Sequence, residues 1–337
     1  MVKTPTSRNS ATTRGDQAPS STNSAETAAD GAANAERMEI SAGSNSTQKR
    51  PRILGLDIAR GLAILGMIYL HLGHPLWQMK VILSGLPAAL FAVIAGVTMM
   101  LIWTNTTAHT AAQAQAPTAQ AIAKLAARGA LITLIGLVLL PAGGEIQVVL
   151  VVLGATMLAT AWVPPLPTAA KVALLLIATA AATWRYAPLE LPLPYPHLAW
   201  VAYILAGMVL FDVYVGKDGT GAGGVTKITT AIACLAAAIA FYLRFQTDLP
   251  GWARATGHTG VLGEIVLSIA VAAIVLHLSL IVGRRVKATN PLVALGAMAL
   301  TVYILHVLTA LWWQTHVSLH SDPVSYTHLR AHETPEH

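Results

Sequence analysis

Long apolar runs separated by short polar breaks make up most of the chain from residue 53 onward. About twenty consecutive apolar residues suffice for a helix to cross a bilayer. The pattern therefore predicts an all-α, polytopic membrane helix bundle with nine transmembrane helices. The breaks contain the proline, glycine and polar residues that end helices. The predicted spans are 53–73, 84–103, 120–140, 146–164, 168–187, 198–215, 226–245, 261–282 and 292–313.

The composition supports this class. Of the 337 residues, 55% are hydrophobic and 11% are charged, whereas soluble proteins contain about 25% charged residues. The basic residues are scattered between apolar runs, as in cytoplasmic loops, so we expect a lipid bilayer and no nucleic acid as partner. The single cysteine, Cys234, excludes a disulfide within one chain.

The two ends of the chain differ from this pattern. Residues 1–50 are rich in Ser, Thr, Ala and Asn and lack aromatic residues, a composition that predicts a disordered tail. The segment 324–337, VSYTHLRAHETPEH, breaks from the apolar pattern and resembles a translated sequencing-adapter read-through. We therefore expect a membrane domain over 51–322 that is truncated at its C-terminus.

The distribution of lysine and arginine predicts the orientation. With a cytoplasmic N-terminus in the cell membrane, most of these residues fall in cytoplasmic loops, as the positive-inside rule requires. The same orientation puts several histidines toward the outer side of the membrane. They are His71, His74, His197, His258 and His306.

Asp57 and Arg60 interrupt the first predicted span, three residues apart on one helical face. A charge at mid-bilayer costs about 2.5–3.5 kcal/mol on insertion scales, so the two must pair or face a polar cavity. One interpretation is an ion pair that orients the helix. The other is an arginine that binds an anionic ligand from the cytoplasm while Asp57 fixes its rotamer. The two interpretations are compatible.

The stretch RILGLDIARGLAILGMIYLH resembles the opening signature of the heparan-α-glucosaminide N-acetyltransferase-like family and its bacterial relatives. The residues that carry the match are Arg52, Asp57, Arg60 and Gly61. A second stretch, LGAMALTVYILH, resembles a late helix of the bacterial relatives. It does so through Gly296, Met298, Leu300, Thr301 and Tyr303. ALFAVIAGVTM and YPHLAWVAYILAGMVL also resemble these bacterial relatives, in a branch that looks actinobacterial.

This resemblance implies an acyltransferase that moves an acetyl or similar acyl group from cytoplasmic acetyl-CoA to an extracytoplasmic sugar or glycolipid acceptor. It also implies an essential histidine after the first helix, where His74 lies, with His71 one turn earlier. Histidine can remove the acceptor's proton because its pKa lies near neutral pH, or it can carry the acyl group covalently. We predict His74 as base or acyl carrier and His71 as the second candidate.

Glu264 and His258 form another candidate catalytic pair, near the start of the eighth span. The carboxylate can orient His258 or a catalytic imidazole, as in a triad, or it can stabilise the start of a helix. His306 lies in an otherwise apolar helix, and we interpret it as structural, hydrogen-bonded by Thr301 or Tyr303.

The phosphates of an acyl-CoA suit arginine, which binds them bidentately. The candidates are Arg60 with Asp57, and Arg128, Arg284 and Arg285, although positive-inside topology alone also produces such arginines. The outer histidines lack metal-ligand spacing, so no metal is expected.

A proton-coupled small-molecule transporter is the alternative function, with Asp57, Glu264 and the histidines as a proton relay. Transporters often contain internal repeats and helices broken near the midplane. The sequence shows no convincing repeat, and its charges lie toward the helix ends. A scaffold without chemistry does not account for the outer histidines. The acyltransferase is therefore the leading hypothesis.

Overall fold

The computed structural model describes residues 52–73, 75–112, 117–143, 147–189, 195–216, 226–246 and 248–316. The predicted disordered tail and the predicted read-through segment lie outside the described residues, as does His74. All regular elements of the described part are helices, which agrees with the predicted all-α class. The helices belong to a unit that begins at Ile53.

The described residues form eleven α-helices, which account for most of their length. They are α1 Leu54–Leu72, α2 Trp77–Leu83, α3 Leu86–Ala112, α4 Pro117–Leu139, α5 Leu150–Ala159, α6 Thr168–Tyr186, α7 His197–Leu210, α8 Thr226–Arg244, α9 Leu262–Gly283, α10 Pro291–Ala297 and α11 Ala299–His316. Short 3-10 turns at Leu140–Ala142 and Ala187–Leu189 extend α4 and α6, and a π-turn at Phe211–Val215 extends α7. A further 3-10 turn, Gly251–Ala253, lies between α8 and α9.

Seven helical segments of the described part are long and apolar enough to cross a membrane, or eight if α10 and α11 count as one broken span. This supports a multi-pass membrane protein. The predicted count of nine is not confirmed. The differences lie at the fourth and ninth predicted spans.

The predicted fourth span, 146–164, contains only the ten-residue helix α5. At 1.5 Å per residue α5 is about 15 Å long, half the thickness of the hydrocarbon core. Pro164 and Pro165 follow it and lack the N–H groups that a longer helix needs. Within this region the hydroxyls of Thr156 and Thr160 donate to carbonyls four residues earlier, each at 2.7 Å. The apolar run is thus a short helix followed by turns.

The predicted ninth span, 292–313, is broken, because α10 and α11 meet at an angle of 85°. At the start of α10, the Asn290 side chain accepts a hydrogen bond from the Leu292 N–H at 2.9 Å. Near its end, a Cβ on Gly296 would lie 1.7 Å from the carbonyl oxygen of Asp57. Because only glycine permits this approach, α10 packs directly on α1 and α11 continues in another direction.

Helices α1, α3, α7 and α9 form the packed centre, with half or more of each span buried, whereas the spans containing α4, α6 and α8 are each less than a quarter buried. Helices α3 and α7 cross at two glycines. A Cβ on Gly96 would lie 2.1 Å from the Ile204 oxygen, and one on Gly207 would lie 1.9 Å from the Val93 oxygen. Small residues allow such close packing of membrane helices.

Candidate functional site

At one end of α1, Arg60 binds two neighbours. Its Nη1 donates to Asp57 Oδ1 at 2.8 Å and its Nη2 donates to Thr98 Oγ1 of α3 at 2.7 Å. Asp57 is buried, whereas the Arg60 side chain stays 22% exposed. The expected ion pair is therefore present, and Thr98 is a partner that the sequence pattern did not identify.

A cavity of about 500 Å³ lies beside Arg60. Arg60, Thr98 and Arg128 line it with polar groups, and the rest of its wall is apolar. Along α3 the lining extends from Phe91 to Ile102, a distance of about 16 Å at the usual helical rise. A long apolar cavity that carries guanidinium groups suits an elongated ligand with an anionic part.

The four predicted phosphate-binding arginines separate into two groups. Arg60 and Arg128 line the same cavity. Arg284 and Arg285 follow α9 and are exposed; they are not among the described residues that line it. They lie at the same end of the bundle as Asp57, because the α1 residue Gly55 packs against the backbone of α9 close to them.

At the opposite end of α1, His71 meets His306 of α11. His71 Nδ1 lies 3.0 Å from His306 Nε2, and the ring planes differ by 11°. His306 is buried and also contacts the ring of Tyr303, at 5.8 Å between centroids. The interpretation of His306 as a structural partner of Tyr303 therefore omitted its closest contact.

A smaller cavity of about 60 Å³ adjoins this pair, lined by His71, Tyr303, His258 and Tyr195 among others. The hydroxyl of Tyr195 donates to the carbonyl oxygen of Gln147. Burial raises the pKa of Tyr195, so this hydroxyl remains a donor at neutral pH. The predicted residues His71 and His258 thus border one cavity, while His74, the first candidate, lies outside the described residues.

Glu264 binds the loop that precedes α9. Its Oε1 accepts the His258 backbone N–H at 2.7 Å, and its Oε2 accepts the Gly260 N–H at 2.6 Å and the Thr259 hydroxyl at 3.1 Å. His258 has a positive φ of 67°, a conformation that costs energy in a non-glycine residue. The described contacts of Glu264 thus stabilise the backbone of this loop, including His258 itself, rather than orient the His258 ring.

The guanidinium of Arg244, at the end of α8, is buried near Glu264. Its Nη2 donates to the Ser84 carbonyl at 2.6 Å, and it interacts electrostatically with Glu264 and Tyr203. Among the described residues, its Nε and Nη1 have no hydrogen-bond partner. A buried arginine and a buried glutamate therefore lie at the end of the bundle where His71 meets His306, which we call the histidine end.

The two cavities are neighbours along the bundle. Leu300 lines the large one and Tyr303, one turn later on α11, lines the small one. Similarly, Leu150 lines the large cavity and Val149 the small one. The Val149 N–H donates to the Tyr303 hydroxyl at 2.9 Å. The hydrogen bond between Val149 and Tyr303 thus lies where the linings of the two cavities are adjacent.

A scan of protein-family models gives no match to the chain, and a search of curated proteins finds no similar sequence. The family resemblance drawn from the motifs at Arg60 and Gly296 is untested and stays a prediction.

Proposed function

We propose that this protein is a membrane-embedded acyltransferase. It moves an acetyl or similar acyl group from a cytoplasmic acyl-CoA to an extracytoplasmic sugar or lipid-linked glycan. One observation supports this most: the cavity lined by Arg60 and Arg128 extends to the boundary of the cavity that His71 lines. Groups that suit phosphate and a group that suits proton transfer thus line neighbouring cavities.

The donor side of the proposal depends on the arginines. Charge-assisted hydrogen bonds from guanidinium to phosphate are among the stronger hydrogen bonds in proteins. Hydrogen bonds to Asp57 and Thr98 hold Arg60 at the cavity wall. The apolar wall beyond them suits the narrow arm of an acyl-CoA. Arg128 adds a second positive charge on the same cavity.

The chemistry depends on the histidine end. An acyl-CoA supplies the acyl group as a thioester, whose C–S bond breaks as the bond to the acceptor oxygen or nitrogen forms. His71 removes the proton from the attacking hydroxyl or amine as a general base. It then returns that proton to the departing sulfur, so the products are the acylated acceptor and the free CoA thiol. His74 stays the first candidate for this role on sequence grounds.

The direction of transfer comes from the loop charges. The positive-inside rule predicts a cytoplasmic N-terminus, which puts the Arg60 end toward the cytoplasm and the His71 end toward the outside. The acyl group then crosses the membrane while the CoA phosphates stay near the inner side.

The direct test uses the full chain in sealed proteoliposomes. Labelled acetyl-CoA is added on one side, and glucosamine, as probe acceptor, is enclosed on the other. We expect saturable acetyl-CoA binding and the formation of N-acetylglucosamine inside the vesicles. A folded protein that binds no acetyl-CoA would overturn the proposal.

A proton-coupled transporter is a second candidate, and one observation favours it. The break between α10 and α11 borders the large cavity through Gly296 and Ala299, and transporters often bind substrate at broken helices. The same vesicles separate the two functions. Uptake of unmodified glucosamine driven by a pH gradient, without acetyl-CoA, would support the transporter.

A further inference from the structure

The large cavity reaches the surface of the bundle between α4 and α11. Leu131 of α4 and Leu300 of α11 line the cavity, yet they are 57% and 38% exposed. Helix α11 packs mainly on α1 and on the turn Leu140–Ala142 that follows α4. The two helices therefore converge at this turn, and Leu131 and Leu300 border an opening further along them. We call this opening the lateral mouth.

The lateral mouth lies at the depth of the lipid chains. Leu131 is near the middle of the apolar span Thr118–Ala142, which is only 22% buried. The neighbouring side chains on the two rims, Leu134 and Met298, are also apolar and exposed. The hydrocarbon core of a bilayer contains no water, so a lipid chain is what borders the mouth.

The cavity carries positive charge beside this mouth. Arg128 precedes Leu131 by one turn of α4 and lines the cavity together with Arg60. Among the described residues, Arg128 has no carboxylate partner. A charged residue within a membrane span normally pairs with an opposite charge or faces a polar cavity. Guanidinium groups bind phosphate especially well, so the charge suits the phosphate of an anionic lipid.

The order of groups along α4 matches that of a lipid. After Arg128 the wall continues through Leu131 to Ile135 and is apolar. Gly136 then packs on the backbone of α5 at Leu150, next to the boundary with the small cavity. A phospholipid of the leaflet at the Arg60 end has the same order, with its phosphate first and its chains pointing to the midplane.

We propose that an anionic phospholipid enters the large cavity through the lateral mouth. Its phosphate binds Arg128 and Arg60, and one acyl chain lies along α3. This lipid site does not depend on the proposed acyltransferase function. Its consequence for that function is competition, because the lipid phosphate and the phosphates of acetyl-CoA use the same two arginines.

The first test needs no enzymatic activity. The full chain is placed in phosphatidylcholine nanodiscs that contain a small fraction of phosphatidylglycerol with a photoreactive diazirine in one acyl chain. Mass spectrometry then locates the cross-links. We expect cross-links at Ile94 of α3, which lines the cavity and is 1% exposed, so that a label there reports a chain inside the cavity. Cross-links confined to the lipid-facing surfaces of the helices would overturn the proposal.

Two matched pairs of variants test the route and the charge. Leu131→Trp narrows the mouth and should remove most of the label at Ile94, whereas Leu235→Trp, on the exposed surface of α8, should retain it. Arg128→Gln should lower the label about tenfold because one charge-assisted contact is lost. Lys227→Gln should not, since this exposed lysine starts α8, at the opposite end of that helix from Arg244. Equal labelling within either pair of folded variants would contradict the proposal.

Two further arms identify the source of the phosphate. Photoreactive phosphatidylcholine at the same fraction should label Ile94 several-fold less than phosphatidylglycerol, because its headgroup has no net charge. Equal labelling would mean that the cavity accepts any acyl chain and would overturn the anionic lipid. Inorganic phosphate at physiological concentration should leave the label in place. Its removal would assign the arginines to a soluble phosphate and would likewise overturn the lipid.

The last test measures competition with acetyl-CoA. Phosphatidylglycerol at about ten times its dissociation constant should weaken acetyl-CoA binding about tenfold by mass action. Leu131→Trp controls for the negative surface potential of such membranes and should lose this dependence. A native chain whose acetyl-CoA affinity ignores phosphatidylglycerol would contradict the competition. If Ile94 is labelled but acetyl-CoA does not bind, the proposed function fails and the lipid site stands; the reverse result leaves the function and removes the lipid site.

Discussion

The two ends of α1 hold their polar groups in different ways. At the Asp57 end, a charged pair on one helix lies beside a cavity of about 500 Å³. At the His71 end, two rings from positions 235 residues apart in the chain share one hydrogen bond beside a cavity of about 60 Å³.

In the proposed function, this difference separates binding from chemistry. A guanidinium stays charged and can hold an anion, whereas an imidazole can take and return a proton. At the His71 end the charged carboxylate of Glu264 is bound by the backbone of its own loop, so it is not directed at the cavity. The comparison predicts that substitutions at the two ends affect different quantities.

The largest effect is expected for His71→Ala. Loss of a general base lowers the rate of proton transfer by about a hundredfold to ten-thousandfold, so kcat should fall by that order while acetyl-CoA affinity is retained. The measurement is acetyl transfer to glucosamine together with acetyl-CoA binding. His277→Ala, a histidine of α9 that contacts Tyr214, is the control and should keep its activity.

His74→Ala is measured in parallel, since it is the first candidate from the sequence. Loss of transfer with binding retained would assign the base to whichever residue shows it. Full activity in both the His71 and His74 variants would contradict a histidine mechanism at this end.

The second-largest effect is expected for Arg60→Ala. This substitution should weaken acetyl-CoA binding about tenfold or more because one charge-assisted contact is lost. Titration of acetyl-CoA into the purified protein measures it. Arg185→Ala is the control, an exposed arginine whose guanidinium lies over the Tyr186 ring.

A double variant separates a structural role of the Asp57–Arg60 pair from phosphate binding by Arg60. Asp57→Ala and Arg60→Ala each remove one member of an ion pair that includes a buried carboxylate, which destabilises a protein strongly. If both single variants fail to fold and the double variant folds, the pair is structural and the phosphate role of Arg60 fails.

The helices and the ion pair could be predicted because they depend on local spacing. Apolar runs located α1, α3, α7 and α9, and the interval of three residues was enough to pair Asp57 with Arg60. The same rules failed where packing decides the geometry. The run 292–313 is apolar throughout, and its 85° break accompanies the contact of Gly296 with the Asp57 backbone, which no local pattern shows.

The contact of His71 with His306 could not be predicted for a related reason. Helical periodicity identifies the side of the membrane that a residue faces but not the residue it meets on another helix. Glu264 shows the same limit at short range, because its bonds to the Gly260 N–H and its neighbours depend on the path of a loop. The sequence suggested either an imidazole as its partner or a role at the start of the helix.

The third prediction concerns Glu264→Gln, which should lower the free energy of unfolding by about 1–3 kcal/mol. The substitution replaces one acceptor oxygen by an NH₂ group that would face donors such as the Gly260 N–H. Thermal unfolding in detergent measures the loss. The control is Asp248→Asn, the same kind of substitution at an exposed residue, which should leave Tm unchanged. An unchanged Tm would contradict the role of Glu264 in holding the 258–260 loop.

The smallest effect is expected for Tyr303→Phe, at the boundary between the two cavities. The ring is retained, so packing changes little, but the Val149 N–H loses the hydroxyl that accepts it. A buried N–H without a partner costs about 1 kcal/mol or slightly more, so Tm should fall modestly. Tyr242→Phe, at a tyrosine that is 67% exposed, should leave Tm unchanged.

Acetyl-CoA affinity should be nearly the same in both variants, because the arginines lie on the far side of this boundary. If Tyr303→Phe weakens binding as much as Arg60→Ala does, the two cavities act as one site, and the separation of binding from chemistry along α1 is wrong.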